Sequence, residues 1–171
     1  FSEKNLKKRL DEAIPYKLSP LKIKCFEKNK KIKESLAFND VSLIRSSSKI
    51  AKIKIEVNNK TRIEEFLGDG CLIATPAGSS AYNLSLRGPV IPVGAKVLAL
   101  TPISPYRPRR WRGALLNNDA KITLYAIDSK LRPVRAEADF MQFENIDRLE
   151  IELEKKIFVN LLFDPGHDLE E

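Results

Sequence analysis

The densest run of chemically useful residues is Gly68-Asp69-Gly70-Cys71-Leu72-Ile73-Ala74-Thr75-Pro76-Ala77-Gly78-Ser79-Ser80-Ala81-Tyr82-Asn83-Leu84-Ser85-Leu86-Arg87-Gly88-Pro89. A buried strand is expected to end at Thr75. Pro76 and Gly78 then shape a tight turn. A short helix over residues 79–86 starts at Ser79 or Ser80, either of which can cap it. Amide N–H groups left free at that start attract a phosphate or a sugar hydroxyl. The small residues Ala77, Gly78, Ser79, Ser80 and Ala81 let a ligand approach the backbone. Tyr82 offers a flat face to a base and a hydroxyl for a hydrogen bond. Asp69, between two glycines at the strand entrance, is a carboxylate with room around it. The same residues also fit a strand–turn–helix packed tightly for its own sake, and serine and glycine enrichment alone does not separate the two.

Two further segments carry polar chemistry. Asn39-Asp40 interrupts the apolar run Ala37-Phe38-Asn39-Asp40-Val41-Ser42-Leu43-Ile44-Arg45. Adjacent polar residues in a strand point to opposite faces or mark a bulge, and a buried pair needs partners. Those partners are either the backbone of a turn or a polar ligand such as a ribose diol. Tyr106-Arg107-Pro108-Arg109-Arg110-Trp111-Arg112-Gly113 sets four arginines around a tryptophan. It can hold nucleic acid, clamp phosphates, or form a surface loop anchored by Trp111 with locally paired arginines. The single histidine, His167, lies near the C-terminus and reads as a tail residue. With no CxxC pair and one histidine, a zinc site is not expected. Cys25 and Cys71 read as buried thiols.

The elements that position these segments are mostly strands. Ser2 is a plausible cap for a short helix whose Leu6, Leu10, Ala13 and Ile14 share one face, with Pro15 ending it. The period then changes from helical to two. Leu21, Ile23 and Cys25 alternate with lysines, as do Ala51, Ile53, Ile55 and Val57 with Lys52, Lys54 and Glu56. Asn58-Asn59 signals a hairpin returning over residues 61–67. Ile122, Leu124 and Ala126 alternate with polar residues, as do Val134, Ala136, Ala138 and Phe140. Leu149, Ile151 and Leu153 follow the same pattern, then Ile157, Val159 and Leu161. Residues 71–74 and 97–100 are apolar throughout and read as fully buried strands. About ten strands at such spacing predict a β-sandwich or a related mainly-β architecture. Residues 68–92 and 101–113 break the rhythm, the latter through Pro102, Pro105 and Pro108.

Composition sets the class. The chain is 43% hydrophobic and 31% charged, which fits a globular domain rather than a disordered segment. No apolar run is long enough to span a bilayer. No signal peptide is evident, and cytoplasm is the default location. The chain begins with Phe1, as a fragment or a processed protein would. Residues 1–60 carry 16 Lys+Arg against 7 Asp+Glu, whereas residues 114–171 carry 7 against 13. That basic front suits nucleic acid or phosphorylated small molecules. Because most of these lysines alternate with apolar residues, a solvated sheet face is the simpler expectation.

Taken together, these segments resemble the ATP-dependent NAD kinase family. The family's Asn-Glu/Asp pair appears as Asn39-Asp40, and its long signature runs from Asp69 to Pro89 with few departures. The runs at 100–116, 132–140 and 161–171 resemble the α-proteobacterial version. The resemblance covers the chain from about residue 16 onward. It implies a mainly-β, sandwich-like C-terminal domain with short helices over 16–171. Residues 1–15 would be a helix belonging or linking to an N-terminal α/β domain that is largely absent.

The family transfers the γ-phosphoryl of ATP, with Mg2+ or another divalent cation, to the 2′-hydroxyl of the adenosine ribose of NAD. Its members are homodimers or homotetramers, and some use polyphosphate. Carried over by position, Asn39 and Asp40 would bind ribose hydroxyls or adenine. Asp69 and Ala81 would meet the nicotinamide end. Ala77, Ser80, Tyr82 and Ser85 would complete the NAD-binding set, with no nucleic-acid or membrane partner implied. Three departures stand out. The family's Gly-Gly-Asp-Gly loop, whose aspartate is the proposed base, is missing from the sequence, so the chain alone is expected to be inactive. Arg87-Gly88 replaces Gly-Gly, making Arg87 a candidate phosphate contact. Ala77 replaces a frequent Thr or Ser. Remaining alternatives are a non-catalytic nucleotide-binding module, a basic nucleic-acid-binding β domain, and a lipid-type kinase of related fold.

Overall fold

A computed structural model describes residues 5–164. The proposed cap Ser2 and the tail residue His167 lie outside the described residues. Fourteen strands, two short α-helices and one 3-10 turn are present among them.

Alternation of apolar residues with lysines produces the first sheet. Its strands are β2 (Leu21–Glu27), β3 (Lys30–Ala37), β5 (Ala51–Val57), β6 (Lys60–Gly68), β10 (Ile122–Ala126) and β13 (Arg148–Leu153), in the order β3-β2-β13-β10-β5-β6. The second sheet holds β4 (Asp40–Arg45), β7 (Gly70–Ala74), β8 (Val97–Ile103), β9 (Ala114–Asn117), β11 (Val134–Ala138) and β12 (Met141–Phe143), in the order β12-β11-β4-β7-β8-β9. Every pairing in both sheets is antiparallel. Leu21, Ile23, Ile53, Ile55, Leu124 and Ile151 from one sheet pack against Val41, Leu43, Ile73, Leu98 and Ala136 from the other, all fully buried. The expected mainly-β sandwich is therefore present.

The lysines of the first sheet point outward and pair with acids. Lys22 meets Glu34 at 2.9 Å, Lys52 meets Glu65 at 2.9 Å, and Lys54 meets Glu56 at 2.8 Å. Such exposed pairs contribute little to stability, because water screens them and their long side chains lose freedom on pairing. With Lys30, Lys33 and Lys60 exposed and outside these pairs, this is a solvated face, as the simpler expectation had it. Cys25 and Cys71 are buried and free. Burial pushes the Cys25 thiol up to about 12 and raises Cys71 as well, so neither forms a thiolate readily.

Three local expectations need correction, and one strand was missed. The first helix, α1 (Leu6–Glu12), stops before Pro15. Pro15 forces Ile14 out of the helical region, and both residues join β1 (Ile14–Leu18), which pairs with β14 (Val159–Phe163) in a separate ribbon. Strand β8 runs through Pro102 to Ile103. Strand β9 accompanies it only as far as Leu100, so Pro102 lies where its missing N–H removes no bond to β9. Strand β3 was not legible, because most of its residues are exposed and show no alternation. The helix over 79–86 is broken into a 3-10 turn (Ala77–Ser80) and one turn of α2 (Tyr82–Ser85), separated by Ala81 at φ −91°, ψ −125°.

Candidate functional site

The second sheet is apolar on both faces at β7 and β8. Its outer side carries Leu72, Ala74, Ala99 and Ile103, which residues 76–95 cover through Ile91, Leu86 and Ala95. This covering segment is the one rich in serine and glycine.

Hydrogen bonds fix its shape. The Thr75 amide donates to the Asn39 carbonyl at 2.9 Å. Thr75 Oγ1 donates to the Phe38 carbonyl at 2.6 Å and accepts from the Gly78 amide at 3.1 Å. A Cβ on Gly78 would lie 2.1 Å from the Asn39 carbonyl oxygen, so only glycine fits there. Buried Ser79 donates from Oγ to the Pro76 carbonyl at 2.7 Å and accepts from the Ile91 amide at 2.9 Å. Asn83 is fully buried. Its Nδ2 donates to the carbonyls of Ser79 and Pro89, and its Oδ1 accepts from Thr101 Oγ1 at 2.6 Å. Asn83 was missed from sequence. Its tell is Gly88, where a Cβ would come within 2.2 Å of Asn83 Oδ1.

Three of the amides near the expected helix start are already taken. The Gly78, Ser79 and Ala81 amides are already bonded within the turn. The opening beside it is instead a cleft of about 910 Å³, lined by Asn39, Pro76, Ala77, Ser80, Ile91 and Leu161 among others.

Asn39-Asp40 sits in the bend between β3 and β4. The Asp139 carboxylate accepts from the amides of Phe38 at 2.7 Å, Asn39 at 3.0 Å and Asp40 at 3.4 Å, while the Asn39 and Asp40 carbonyls accept from the backbone amides of Thr75 and Asp139. The exposed Asn39 carboxamide makes no hydrogen bond among the described residues, leaving it free for a ligand. Asp40 is half-buried and shares the outer sheet face with Ser42, which stands opposite Glu137 on β11. Burial first, then the charges of Asp139 and Glu137, push its carboxyl up to about 6.

Asp69 accepts from Arg45 Nε at 2.6 Å. Its flanking glycines serve close packing rather than open space: a Cβ on Gly68 would strike Phe66, and one on Gly70 the Leu43 carbonyl. Partial burial raises the Tyr82 hydroxyl pKa, followed by the charges of Glu137, Asp40 and Asp69, with Arg135 opposing. Tyr82 keeps an exposed face, at 40% of its surface.

Of the predicted residues, Asn39, Ala77 and Ser80 line the cleft, while Asp40, opposite Ala74, and Asp69, paired with Arg45, stand at opposite ends of the β4–β7 pairing. Ala81 and Ser85 are exposed. Arg87 is exposed too, at φ 63°, a left-handed conformation that glycine adopts without steric cost. Trp111 packs edge-on against Phe66 with centroids 5.7 Å apart. No carboxylate among the described residues lies within ion-pair distance of Arg107, Arg109, Arg110 or Arg112, so the expected local salt bridges are not formed.

The comparisons agree with this layout. The sequence model described as ATP-NAD kinase C-terminal domain matches residues 38–139, the span that starts and ends at the Phe38–Asp139 clasp. This chain belongs to the ATP-NAD kinase family. An NAD kinase from Xylella fastidiosa (strain Temecula1) is 48% identical over 167 residues, covering 98% of this chain and 64% of the relative's length. The yeast NADH kinase complexed with NADH superposes with a TM-score of 0.84 at 24% identity, covering 98% of this chain and 51% of that one. An NAD kinase from Archaeoglobus fulgidus in complex with ATP gives 0.72 at 22% identity, covering 96% and 61%. These two likenesses concern the fold.

Proposed function

We propose that the protein carrying this chain phosphorylates the 2′-hydroxyl of the adenosine ribose of NAD with ATP, giving NADP, and that this chain supplies the dinucleotide side of the site. The observation that carries the reading is the clasp of the Asn39-Asp40 bend onto the Thr75–Gly78 turn, which opens a cleft beside an exposed tyrosine face. Asn39 offers its free carboxamide to a ribose or adenine. Asp40, partly protonated near neutrality, can donate or accept a hydrogen bond. Tyr82 stacks on a base, with Ser80 and Ser85 beside it. Ala77 and Ala81 leave room for the backbone approach, Asp69 faces the nicotinamide end, and Arg87 reaches a phosphate.

In the transfer, the 2′-oxygen attacks the γ-phosphorus, the bond to the β,γ-bridging oxygen breaks, and ADP leaves. The hydroxyl proton goes to the aspartate of the family's Gly-Gly-Asp-Gly loop, which this sequence does not contain. The chain by itself is therefore inactive. A divalent cation arrives on the ATP phosphates. No group of three His, Cys, Asp or Glu side chains among the described residues is placed to hold one.

Helix α1 buries none of its residues, and Leu161 and Leu162 of the β1–β14 ribbon are exposed. Residues 1–15 are read as facing an N-terminal α/β domain, with 16–171 as the NAD-binding domain of a cytoplasmic homodimer or homotetramer. No helix among the described residues is long and apolar enough to cross a membrane.

The test is NADP formation by the whole protein from NAD and ATP, compared with its Asp69→Asn variant. NADP formation that falls in the variant through a raised KM for NAD, at unchanged stability, supports the reading. A whole protein that makes no NADP overturns it, and unchanged kinetics remove Asp69 from the site.

A further inference from the structure

Arg45 ends β4 and reaches across to the link between β6 and β7. The approach there is close. A Cβ on Gly70 would lie 2.2 Å from the Leu43 carbonyl oxygen, so glycine lets the two strands come together beside Arg45 and Asp69. The backbone of Asp69 is fixed from both sides. Its carbonyl accepts from the Arg45 amide at 2.9 Å, and its own amide donates to the Ile103 carbonyl at 2.9 Å.

The side chains repeat the connection. Arg45 Nε donates to Asp69 Oδ1 at 2.6 Å, and Arg45 Nη1 donates to the Ser47 carbonyl at 2.6 Å. Bonded at two of its nitrogens, the guanidinium is a fixed donor. A charge-assisted bond from its rigid plane sets direction as well as distance. The Arg45 carbonyl in turn accepts from Arg135 Nη1 at 3.3 Å. Both side chains of the pair keep part of their surface in water, at 36% and 37% exposure, so the pair adds little to stability. What it does supply is orientation. Asp69 Oδ1 is held, while Oδ2 makes no hydrogen bond among the described residues and is left to accept one from a ligand.

We propose that Arg45 is a positioning residue for the dinucleotide, acting through Asp69: it holds one carboxylate oxygen so that the other stands ready for the substrate. This rests on the reading above that Asp69 belongs to the NAD site. No bond of the reaction forms or breaks at Arg45. A guanidinium that only closed this end of the sandwich would affect unfolding and leave substrate kinetics alone, so the two roles separate by measurement.

The experiment measures steady-state NADP formation by the whole protein, with urea unfolding of each sample alongside. Wild type is compared with Arg45→Gln, Arg45→Lys, Asp69→Ala and the double variant Arg45→Gln/Asp69→Ala. Lys52→Gln, which breaks the Lys52–Glu65 pair on the first sheet, is the control. Arg45→Gln is expected to raise KM for NAD roughly five- to tenfold, with kcat and the KM for ATP unchanged. Arg45→Lys keeps the charge without the planar fork and recovers part of that loss. The double variant has the KM of Asp69→Ala alone, because no carboxylate remains for Arg45 to position. Lys52→Gln behaves as wild type. A wild-type KM in Arg45→Gln, or effects of the two changes that multiply in the double variant, overturns the proposal. Should Arg45→Gln fail to fold, Arg45→Lys carries the test, and a wild-type KM there overturns the proposal. Asp69→Ala with wild-type kinetics removes Asp69 from the NAD site and the proposal with it, whereas a raised KM in Asp69→Ala beside a wild-type KM in Arg45→Gln overturns the role of Arg45 alone.

Discussion

Asp139 controls the position of Asn39 and Asp40 from about a hundred residues away. Its carboxylate gathers three successive amides, and bonds to an ionised acceptor contribute about 1.5–3 kcal/mol each. Asp139→Ala should release the bend and raise KM for NAD by roughly tenfold or more. Asp139→Asn keeps one acceptor and should recover part of that loss. Equal kinetics in all three proteins would show that the bend holds itself. Asp40 adds a pH signature. It titrates at about 6 in the fold against 3.8 when free, so the folded state holds the proton more tightly than the unfolded chain. The stabilisation from that proton is fully present below 3.8 and is lost as pH rises through about 6. At a half-buried site, after discounting for solvent screening, this is on the order of 1 kcal/mol. Urea unfolding at both ends of that window should show the loss in the wild type and its absence in Asp40→Asn. Arg87 sits at φ 63°, where glycine carries no steric cost. Arg87→Gly should therefore raise the unfolding free energy by about 1 kcal/mol, and an unchanged value would mean that its guanidinium makes a compensating contact.

At the scale of elements, the segment over residues 76–95 acts as a buttressed lid on the second sheet, and Asn83 is its hub. Asn83→Ala leaves Thr101 Oγ1 and two carbonyls without partners, which should cost about 3 kcal/mol or more in urea unfolding; a loss below about 1 kcal/mol would move the hub elsewhere. These features differ in how far the sequence announces them. Strands β2, β5, β10, β11 and β13 show period-two alternation because one face is wet and the other dry. Strands β7 and β8 read as buried because the lid covers their second face. Strand β3 is silent because most of it is exposed, and only its tight turn at Lys28-Asn29, with φ 48° and 63°, could have marked it. Asn39, Asp69 and Tyr82 were visible as polar residues in apolar or glycine-rich settings. Asp139 and Glu137 were not, because only the β4–β11 pairing and the turn that follows it bring them to the Asp40 end of β4.

For the whole molecule, the cleft lined by Asn39, Ala77 and Ser80 lies beside the lidded sheet, while several lysines of the opposite sheet pair with acids. The chain spans 64% of the length of the Xylella relative. Its exposed α1 and β1–β14 ribbon lie at the margin of the sandwich, away from the core shared by the two sheets. The central claim is that the dinucleotide pocket is contained in these 171 residues. The most direct test is calorimetric titration of NAD into the folded chain, with an Asn39→Ala variant and a short DNA duplex as controls. The account predicts saturable NAD binding, weakened in Asn39→Ala, and no DNA binding. A folded chain that binds no NAD, or binds it equally well without the Asn39 carboxamide, would contradict it.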